Sequence, residues 1–426
     1  MNDMNKVDGS NEISDRIKWY TLAILTIVYA FNFIDRQILV ILLPLIKAEL
    51  NLSDTYLGLL SGIAFALFYT ILGIPIARLA DRSNRRNIIA IALTVWSAMT
   101  VVSGMAQNFV QLLFARMGVG VGEAGGSPPA HSMISDLFEP KKRATALAIY
   151  SAGLYLGVVI GFSAGGYLGE TFGWRNTFFI VGIPGVLLAL ILWTTVPEPA
   201  RPNSVAGDTG PSFLDTLSHV MKLKSFLFIA FGCSLSAFIS YGTSNFMPSY
   251  MVRYHEFPLT EIGIWLGITG GGGGIIGTFL GGYLTDKVGK NNPSWYLWLP
   301  GLTAVASIPF AVFAFNTDNT PLMLASYFVT AILGTLYLAP SIAVLHRLVN
   351  PRMRAMTSAL LFFVLNLIGL GAGPVVIGML SDGFESLRFA LTIGAGVALL
   401  KGYLFWVGGK RLPADIEATK HLSSDS

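Results

Sequence analysis

Long apolar runs separated by short polar breaks fill most of the chain. Crossing a hydrocarbon core of ~30 Å takes about 20 apolar residues in a helix. Helices are required because a lipid-exposed backbone must satisfy its own hydrogen bonds, and the alternating pattern of a membrane β-barrel is absent. The pattern predicts twelve transmembrane helices, here called spans 1 to 12, at 19–45, 54–77, 87–106, 109–137, 144–169, 177–196, 225–251, 260–285, 294–315, 321–345, 355–381 and 385–408.

The composition agrees with an all-α membrane protein. Of the 426 residues, 53% are hydrophobic and 12% are charged, and the mean hydropathy is +0.62. A water-soluble domain cannot hide this much apolar surface. The first apolar run is longer than a signal-peptide core and lacks a small-residue cleavage site, so we interpret it as a retained helix. Cys233 is the single cysteine and is predicted to be a small buried side chain.

Lysine and arginine fall mainly on one side of the predicted spans. With both termini on that side, it collects 21 of the 28 basic residues, against four on the other side (Lys47, Arg175, Arg253 and Arg388). The positive-inside rule therefore predicts a multi-pass protein of the cell (inner) membrane with both termini in the cytoplasm. The sequence contains no patch of basic and aromatic residues of the kind that binds nucleic acid, so we do not expect nucleic acid as a partner.

Two internal repeats divide the chain into related halves. Asp81 follows span 2 and Asp286 follows span 8, 205 residues later, in similar loops. Pro140-Lys141-Lys142-Arg143-Ala144 follows span 4 and Pro351-Arg352-Met353-Arg354-Ala355 follows span 10. We expect a tail (1–18), an N-terminal six-helix bundle (19–197), a linker (198–224), a C-terminal six-helix bundle (225–408) and a tail (409–426). A substrate site is predicted between the halves near the midplane.

The loops after spans 2 and 8 resemble the signature loop of the major facilitator superfamily. Its G-x-x-x-D-R/K-x-G-R/K pattern fits Gly282 to Lys290 well, whereas Ala77 and Asn84 replace the glycines of the first copy. The resemblance implies two pseudo-symmetric bundles and a gating role for these loops. The implied gating residues are Asp81, Arg82, Arg85, Asp286 and Lys287. Alternatively, the aspartates only cap helix ends.

Spans 1 and 4 are similar to the Spinster group of lipid transporters within that superfamily. The similarity lies in Asn32-Phe33-Ile34-Asp35-Arg36 and in Arg116-Met117-Gly118-Val119-Gly120-Val121-Gly122-Glu123-Ala124, followed by Ser127-Pro128-Pro129 and Ser135-Asp136-Leu137-Phe138. It implies a secondary transporter that moves an amphiphilic lipid-like substrate.

Four charged residues lie deep in these two spans and are functional candidates by default. Arg116 and Glu123 are seven residues apart, which separates them by ~10 Å along a helix, so they should not pair with each other. We predict that Asp35 pairs with Arg116 and that Arg36 and Glu123 lie nearby in a wet cavity. Asp35, Arg116 and Glu123 are the candidates for proton coupling, with Asp35 or Glu123 as the proton site. The alternative is a permanently closed pair that fixes helix register.

The substrate is predicted to contact both halves. The candidate binding residues are Arg36, Arg116 and Glu123, with Tyr241, Asn245, Tyr337 and Asn366 from the C-terminal half. The predicted cavity has charged residues on the N-terminal half and apolar surface on the C-terminal half. This distribution favours an amphiphile, such as a lysophospholipid or a sphingoid phosphate, with its head group on the N-terminal half. An organic anion or a drug is the alternative substrate. Lys401 in span 12 is expected to reach largely to the cytoplasmic interface.

Other function classes find little support in the sequence. It contains no His/Cys/Asp cluster and no nucleophile and base at a catalytic spacing, so we expect neither an enzyme nor a metal or cofactor. A channel or receptor is disfavoured by the repeat and the gate loops. We expect a monomer whose partners are the small-molecule or lipid substrate, protons and membrane lipid. Glycines at four-residue spacing in span 5 (Gly153, Gly157, Gly161 and Gly165) predict close helix packing.

Overall fold

The computed structural model describes residues 13–201 and 213–419. The predicted tails and linker fall partly outside these ranges, as do the side chains of Asp81, Phe213, Leu214 and Arg352. All the regular structure in the described ranges is helical. Ten of the described helices are long and apolar enough to cross a membrane, and two features of the N-terminal half account for the difference from twelve.

The N-terminal half contains six crossings, two of them in one helix. Span 1 is Asp15–Leu50, span 2 is Asp54–Ser61 with Ile63–Arg82, and span 3 is Arg85–Met105. Span 4 is broken into Phe109–Glu123 and Ser127–Leu137, because the prolines that follow Ser127 lack the N–H groups needed to continue a helix. Spans 5 and 6 share the helix Pro140–Thr195, which turns at Gly173 where φ is 77°.

The C-terminal half contains the other six crossings. Its helices are Lys224–His255 (span 7), Leu259–Leu266 with Gly273–Gly289 (span 8), Trp295–Asn316 (span 9), Thr320–Thr335 with Leu338–Arg347 (span 10), Arg354–Leu365 with Gly373–Gly383 (span 11) and Leu387–Thr419 (span 12). The π-helical segments Gly267–Gly272 and Asn366–Ala372 join the two parts of spans 8 and 11. The predicted twelve-helix fold of two bundles is therefore confirmed.

Two helical segments extend beyond the sequence-based boundaries. Helix Phe213–Lys222 lies in the stretch predicted as a linker, and span 12 continues to Thr419 instead of ending at 408. Polar residues interrupt both segments too often for a membrane crossing, and for this reason hydropathy alone did not identify them as helix. An even number of crossings brings Asp15 and Thr419 to the same face of the molecule, here called the terminal face. The face that carries Leu50, Asp54 and Gly383 is called the opposite face.

The glycines of span 5 bring this helix close to span 1. A Cβ at Gly157 would lie 2.5 Å from the Ala30 carbonyl oxygen, and a Cβ at Gly161 would lie 3.0 Å from the Ile34 Cα. Only glycine permits this approach, as the spacing predicts. Span 1 is thus held against span 5 over the turn that carries Asp35.

The two halves meet mainly toward the opposite face. A Cβ at Gly58 of span 2 would lie 2.4 Å from the Pro374 carbonyl oxygen of span 11, and a Cβ at Gly263 of span 8 would lie 2.3 Å from the Phe162 carbonyl oxygen of span 5. Within the described ranges, the side-chain hydrogen bonds and ion pairs that join the two halves run from this face to mid-depth, where Tyr155 Oη lies 3.0 Å from Thr278 Oγ1. Among these described contacts, none joins the halves at the terminal face. The halves are therefore closed against each other at the opposite face.

Replacing Gly58 by Ala should shift the protein away from this conformation. The added Cβ would collide with the Pro374 carbonyl, and overpacking a close contact costs ~1–3 kcal/mol. The population with the opposite face open should therefore rise by roughly tenfold. Electron paramagnetic resonance can measure this as a longer distance between spin labels at Gln107→Cys and Thr317→Cys, on loops of the two halves, in a Cys233→Ser background.

Gly73→Ala is the matched control, because no heavy atom lies within 4 Å of a Cβ at that position of the same span. Identical distance distributions for Gly58→Ala and Gly73→Ala would contradict the role of this contact.

Candidate functional site

Four buried charges lie between spans 1 and 4. Asp35 and Arg36 come from the middle of span 1, while Arg116 and Glu123 come from the first helix of span 4. Asp35, Arg116 and Glu123 are each at most 2% exposed. Charges this deep in an apolar bundle are stable only with opposite charges beside them.

Asp35 has two partners from other spans. Arg116 Nη1 donates to its Oδ2 over 3.1 Å, so the predicted pair is present. Thr100 Oγ1 of span 3 lies 2.5 Å from Asp35 Oδ1 and 2.9 Å from the Trp96 carbonyl oxygen, and its one proton can serve either acceptor. Sequence reasoning missed Thr100, because a threonine in an apolar span usually bonds only to its own helix. Arg116 Nε has no hydrogen-bond partner among the described residues.

Arg36 and Glu123 form the second ion pair. Arg36 Nε donates to Glu123 Oε2 over 2.7 Å, while Glu123 Oε1 has no hydrogen-bond partner. The Arg36 guanidinium also lies 4.6 to 5.0 Å from the ring centroids of Phe33, Phe65 and Tyr69. Aromatic faces stabilise a cation through their quadrupoles. Each of the two acids, Asp35 and Glu123, thus forms an ion pair with an arginine of the other span.

A small cavity adjoins the two arginines and reaches the C-terminal half. Its volume is about 50 Å³, and its lining includes Arg36, Arg116, Tyr241, Ser244 and Asn245. We call it the central cavity. Three spans of one half and two of the other contribute to it, so it lies at the interface where the sequence predicts substrate.

Three of the predicted binding residues do not line the central cavity: Glu123, which lies behind Arg36 as its ion-pair partner, and two residues of the C-terminal half. Tyr337 stands at the break between the two helices of span 10, and its ring centroid lies 5.1 Å from Lys401 Nζ. Asn366 is half-buried at the start of the π-helical segment of span 11 and is not among the residues lining the central cavity. Both residues stand where the helix of their span changes its geometry, and a hydropathy pattern does not show such positions.

The expectation that Lys401 reaches the membrane interface is wrong. Its side chain is 3% exposed and lines an internal cavity with residues of spans 7 to 10. Span 12 continues for 18 residues beyond it, to Thr419, which places Lys401 much farther from the end of the helix than the predicted boundary implied.

A polar network closes the opposite face and was missed by the sequence analysis. Asp54 at the start of span 2 accepts hydrogen bonds from Arg253 Nη1 and Nη2 of span 7, over 2.7 and 2.5 Å, and from Ser381 Oγ of span 11. Asp382 of span 11 accepts from the backbone N–H groups of Asp54 and Thr55. Charged residues at span ends are common, so their sequence pattern does not reveal that they meet across the halves.

The predicted gate residues of the terminal face make no described contact across the halves. Arg82, Asp286 and Lys287 are exposed, and Asp286 accepts a hydrogen bond from Tyr296 of its own half over 2.9 Å. Asp81 lies outside the described side chains. Arg85 is buried and pairs with Asp136 of span 4 and with Glu198 at the start of the predicted linker. A closed gate at this face remains a prediction for another conformation.

Comparison with known proteins identifies the family. The sequence profile of the Major Facilitator Superfamily matches residues 25–318. The chain belongs to the major facilitator superfamily. An MFS-type efflux pump of Mycolicibacterium smegmatis is 32% identical over 96% of both chains. A hexuronate transporter of Bacillus subtilis is 24% identical over 86% of this chain and 89% of that one.

A solved structure links this major facilitator protein to the Spinster group. The crystal structure of a bacterial homologue of the human lysosomal transporter Spinster, in an inward-facing and unoccupied conformation, matches with a TM-score of 0.88 and 32% identity, covering 95% of this chain and 99% of that one. The similarity to Spinster proteins predicted from spans 1 and 4 is confirmed. The protein is thus a major facilitator transporter related to Spinster, closed at its opposite face.

Replacing Arg253 by Gln should loosen the closed face of this facilitator. The change removes both hydrogen bonds from the guanidinium to Asp54, and hydrogen bonds to charged groups contribute ~1.5–3 kcal/mol. The population open at the opposite face should increase by about tenfold, measured with the spin labels described above.

Arg388→Gln serves as the control, because Arg388 lies at the same face but pairs with Asp318 of its own half over 2.9 Å. An equal effect of the two substitutions would show that surface charge, and not the contact across the halves, controls closure.

Proposed function

We propose that the protein is a proton-coupled transporter that moves an amphiphilic lipid-like substrate, of the lysophospholipid or sphingoid-phosphate type, by alternating access. The observation that carries this proposal is the pairing of Asp35 with Arg116 and of Glu123 with Arg36 beside a cavity between the halves. A network of this kind changes its electrostatic balance when one proton binds.

Asp35 is the proposed proton site. As a carboxylate it neutralises Arg116, and as a neutral acid it leaves the Arg116 charge without compensation inside an apolar bundle. Any conformation that exposes Asp35 to water on the acidic side takes up the proton more readily than one that buries the pair. The proton gradient thereby biases the equilibrium between the two open states by the difference in proton affinity between them.

The positive-inside pattern sets the orientation of the proposal. On the basis of this pattern we expect the terminal face on the cytoplasmic side of the cell membrane, and the closed opposite face then points outward. The described conformation is on this basis inward-facing. Both halves of the site are contained in one chain, in keeping with a monomeric transporter.

The amphiphilic substrate is supported by the surroundings of Arg36. Three aromatic rings surround a guanidinium that lines the central cavity, so polar and apolar groups are presented side by side. The alternative is an organic anion or a drug carried by the same mechanism. The small, partly polar central cavity and the similarity to a hexuronate transporter favour this alternative.

Replacing Asp35 by Asn should abolish the dependence of transport on a pH gradient. The amide cannot bind the proton but has the size of the acid, so transport down a substrate gradient should persist while uptake driven by protons falls to the uncoupled level. Uptake into proteoliposomes, with and without an imposed pH gradient, measures both.

Glu49→Gln is the control, since Glu49 is an acid of the same span that pairs with Arg175 at the opposite face. Unchanged gradient-driven uptake by the Asp35→Asn variant would refute Asp35 as the proton site. If only the Glu123→Gln variant loses gradient-driven uptake, the proton site is Glu123.

The substrate class can be decided by competition. Lysophospholipids and sphingoid phosphates should protect the purified protein against thermal unfolding at concentrations at which sugar acids and aromatic acids do not. The shift in midpoint should grow as RT ln(1 + [L]/Kd). Protection by hexuronate without protection by any lysolipid would favour the alternative substrate.

A further inference from the structure

Lys401 is a buried cation that lacks a carboxylate partner. By contrast, the buried Arg116 pairs with Asp35, the buried Arg85 pairs with both Asp136 and Glu198, and the half-buried Arg36 pairs with Glu123. Among the described residues, no carboxylate lies within ion-pair distance of Lys401 Nζ. Its described electrostatic contacts are with the Tyr337 ring, whose centroid lies 5.1 Å away, and with the Cys233 thiol. An ammonium removed from water in this way is stabilised when an anion reaches it.

The cavity beside Lys401 is lined by hydroxyl groups. We call it the Lys401 chamber, and it lies between spans 7, 8, 9, 10 and 12. Ser240, Thr243 and Ser244 follow helical spacing along one face of span 7, and Tyr327 faces them from span 10. None of these four hydroxyls has a described hydrogen-bond partner, so all four can donate to a ligand. By contrast, Ser236 and Ser307 of the same lining donate to carbonyl oxygens of their own helices.

The size of the chamber fits the polar end of a molecule. Its volume is about 120 Å³, and a water molecule in the liquid occupies ~30 Å³. A carboxylate with two or three attached carbons, or a phosphate group, fills such a space, whereas a long acyl chain is too large for it. A cation and several hydroxyl donors around a space of this size are the chemistry that binds an oxyanion.

The chamber adjoins the central cavity. Ser244 of span 7 lines both of them. A substrate in the central cavity can therefore extend past span 7 and place one end beside Lys401. The arginines of the central cavity are each neutralised by an acid, while Lys401 is not, so an anionic end gains more by binding on the C-terminal half.

We propose that the Lys401 chamber is an oxyanion-binding subsite that holds the carboxylate or phosphate end of the transported substrate. This inference rests on the proposed transport function, and it reverses the orientation expected from the sequence, in which the head group binds to the N-terminal half. The same chemistry can come from a lysolipid phosphate or from a hydroxylated carboxylic acid.

Binding measured with matched acid and neutral ligands tests the proposal. Purified full-length protein in detergent is titrated with oleoyl lysophosphatidate against monooleoylglycerol, and with glucuronate against glucose. In at least one pair the acid should bind more tightly than its neutral partner by a factor of about ten or more, as expected for a charge-assisted hydrogen bond. Lys401→Met should remove this preference and leave the affinity for the neutral ligand unchanged.

Lys410→Met is the matched control, because Lys410 lies on the same helix over the Trp406 ring, outside the chamber. If Lys401→Met does not fold, Ser240→Ala and Thr243→Val replace it, and each should reduce the preference for the acid. A preference retained in all folded variants overturns the proposal.

The two ligand pairs separate this inference from the proposed function. A preference that depends on Lys401 in the glucuronate pair alone supports the chamber and rejects the lipid substrate. If the neutral lipid binds and no acid is preferred in either pair, the chamber is overturned while a lipid-like substrate stands.

Discussion

A charge inside an apolar helix bundle requires a counter-charge, and this requirement organises the N-terminal half. Asp35 and Arg116, and likewise Arg36 and Glu123, join span 1 to span 4 through pairs that are almost fully removed from water. Removing either partner of such a pair leaves an uncompensated charge, which destabilises by ~3–5 kcal/mol. The same sensitivity makes the network suitable for coupling to a proton, because protonation is a reversible way of removing one charge.

Close packing holds this network in place. Span 5 lies against span 1 along a row of glycines whose missing side chains allow backbone contact beside Asp35. A helix fixed in this way cannot rotate to separate the pairs without opening the glycine contacts. Packing between spans 1 and 5 and ion pairing between spans 1 and 4 therefore support each other, and the N-terminal half can move as one body.

The halves are held together differently from the interior of each half. Glycine contacts and the network around Asp54 and Arg253 join them at the opposite face. These contacts are short, but the Arg253 side chain is 29% exposed, and ion pairs that water reaches are weaker than those of the interior. Such an interface can close and open again while the two bundles remain intact, as alternating access requires.

The depth of the charges made one part of the site predictable. Asp35 and Arg116 lie in the middle of long apolar runs, and each needs an opposite charge that only another span can supply, so their pairing followed from the sequence. Thr100 could not be found in this way, because a hydroxyl can satisfy itself on its own helix. Asp54, Arg253 and Asp382 stand at span ends, where water is an adequate partner, and nothing in the pattern indicates that they meet.

The sequence by itself determined the twelve crossings, the two related halves and the pairing of Asp35 with Arg116, because hydropathy, repetition and buried charge are properties of the chain before it folds. The tertiary structure alone decided which face is closed, where helices break, and that Lys401 lies in an internal chamber. These features depend on distances between helices far apart in sequence, and such distances are set by packing that no local pattern encodes.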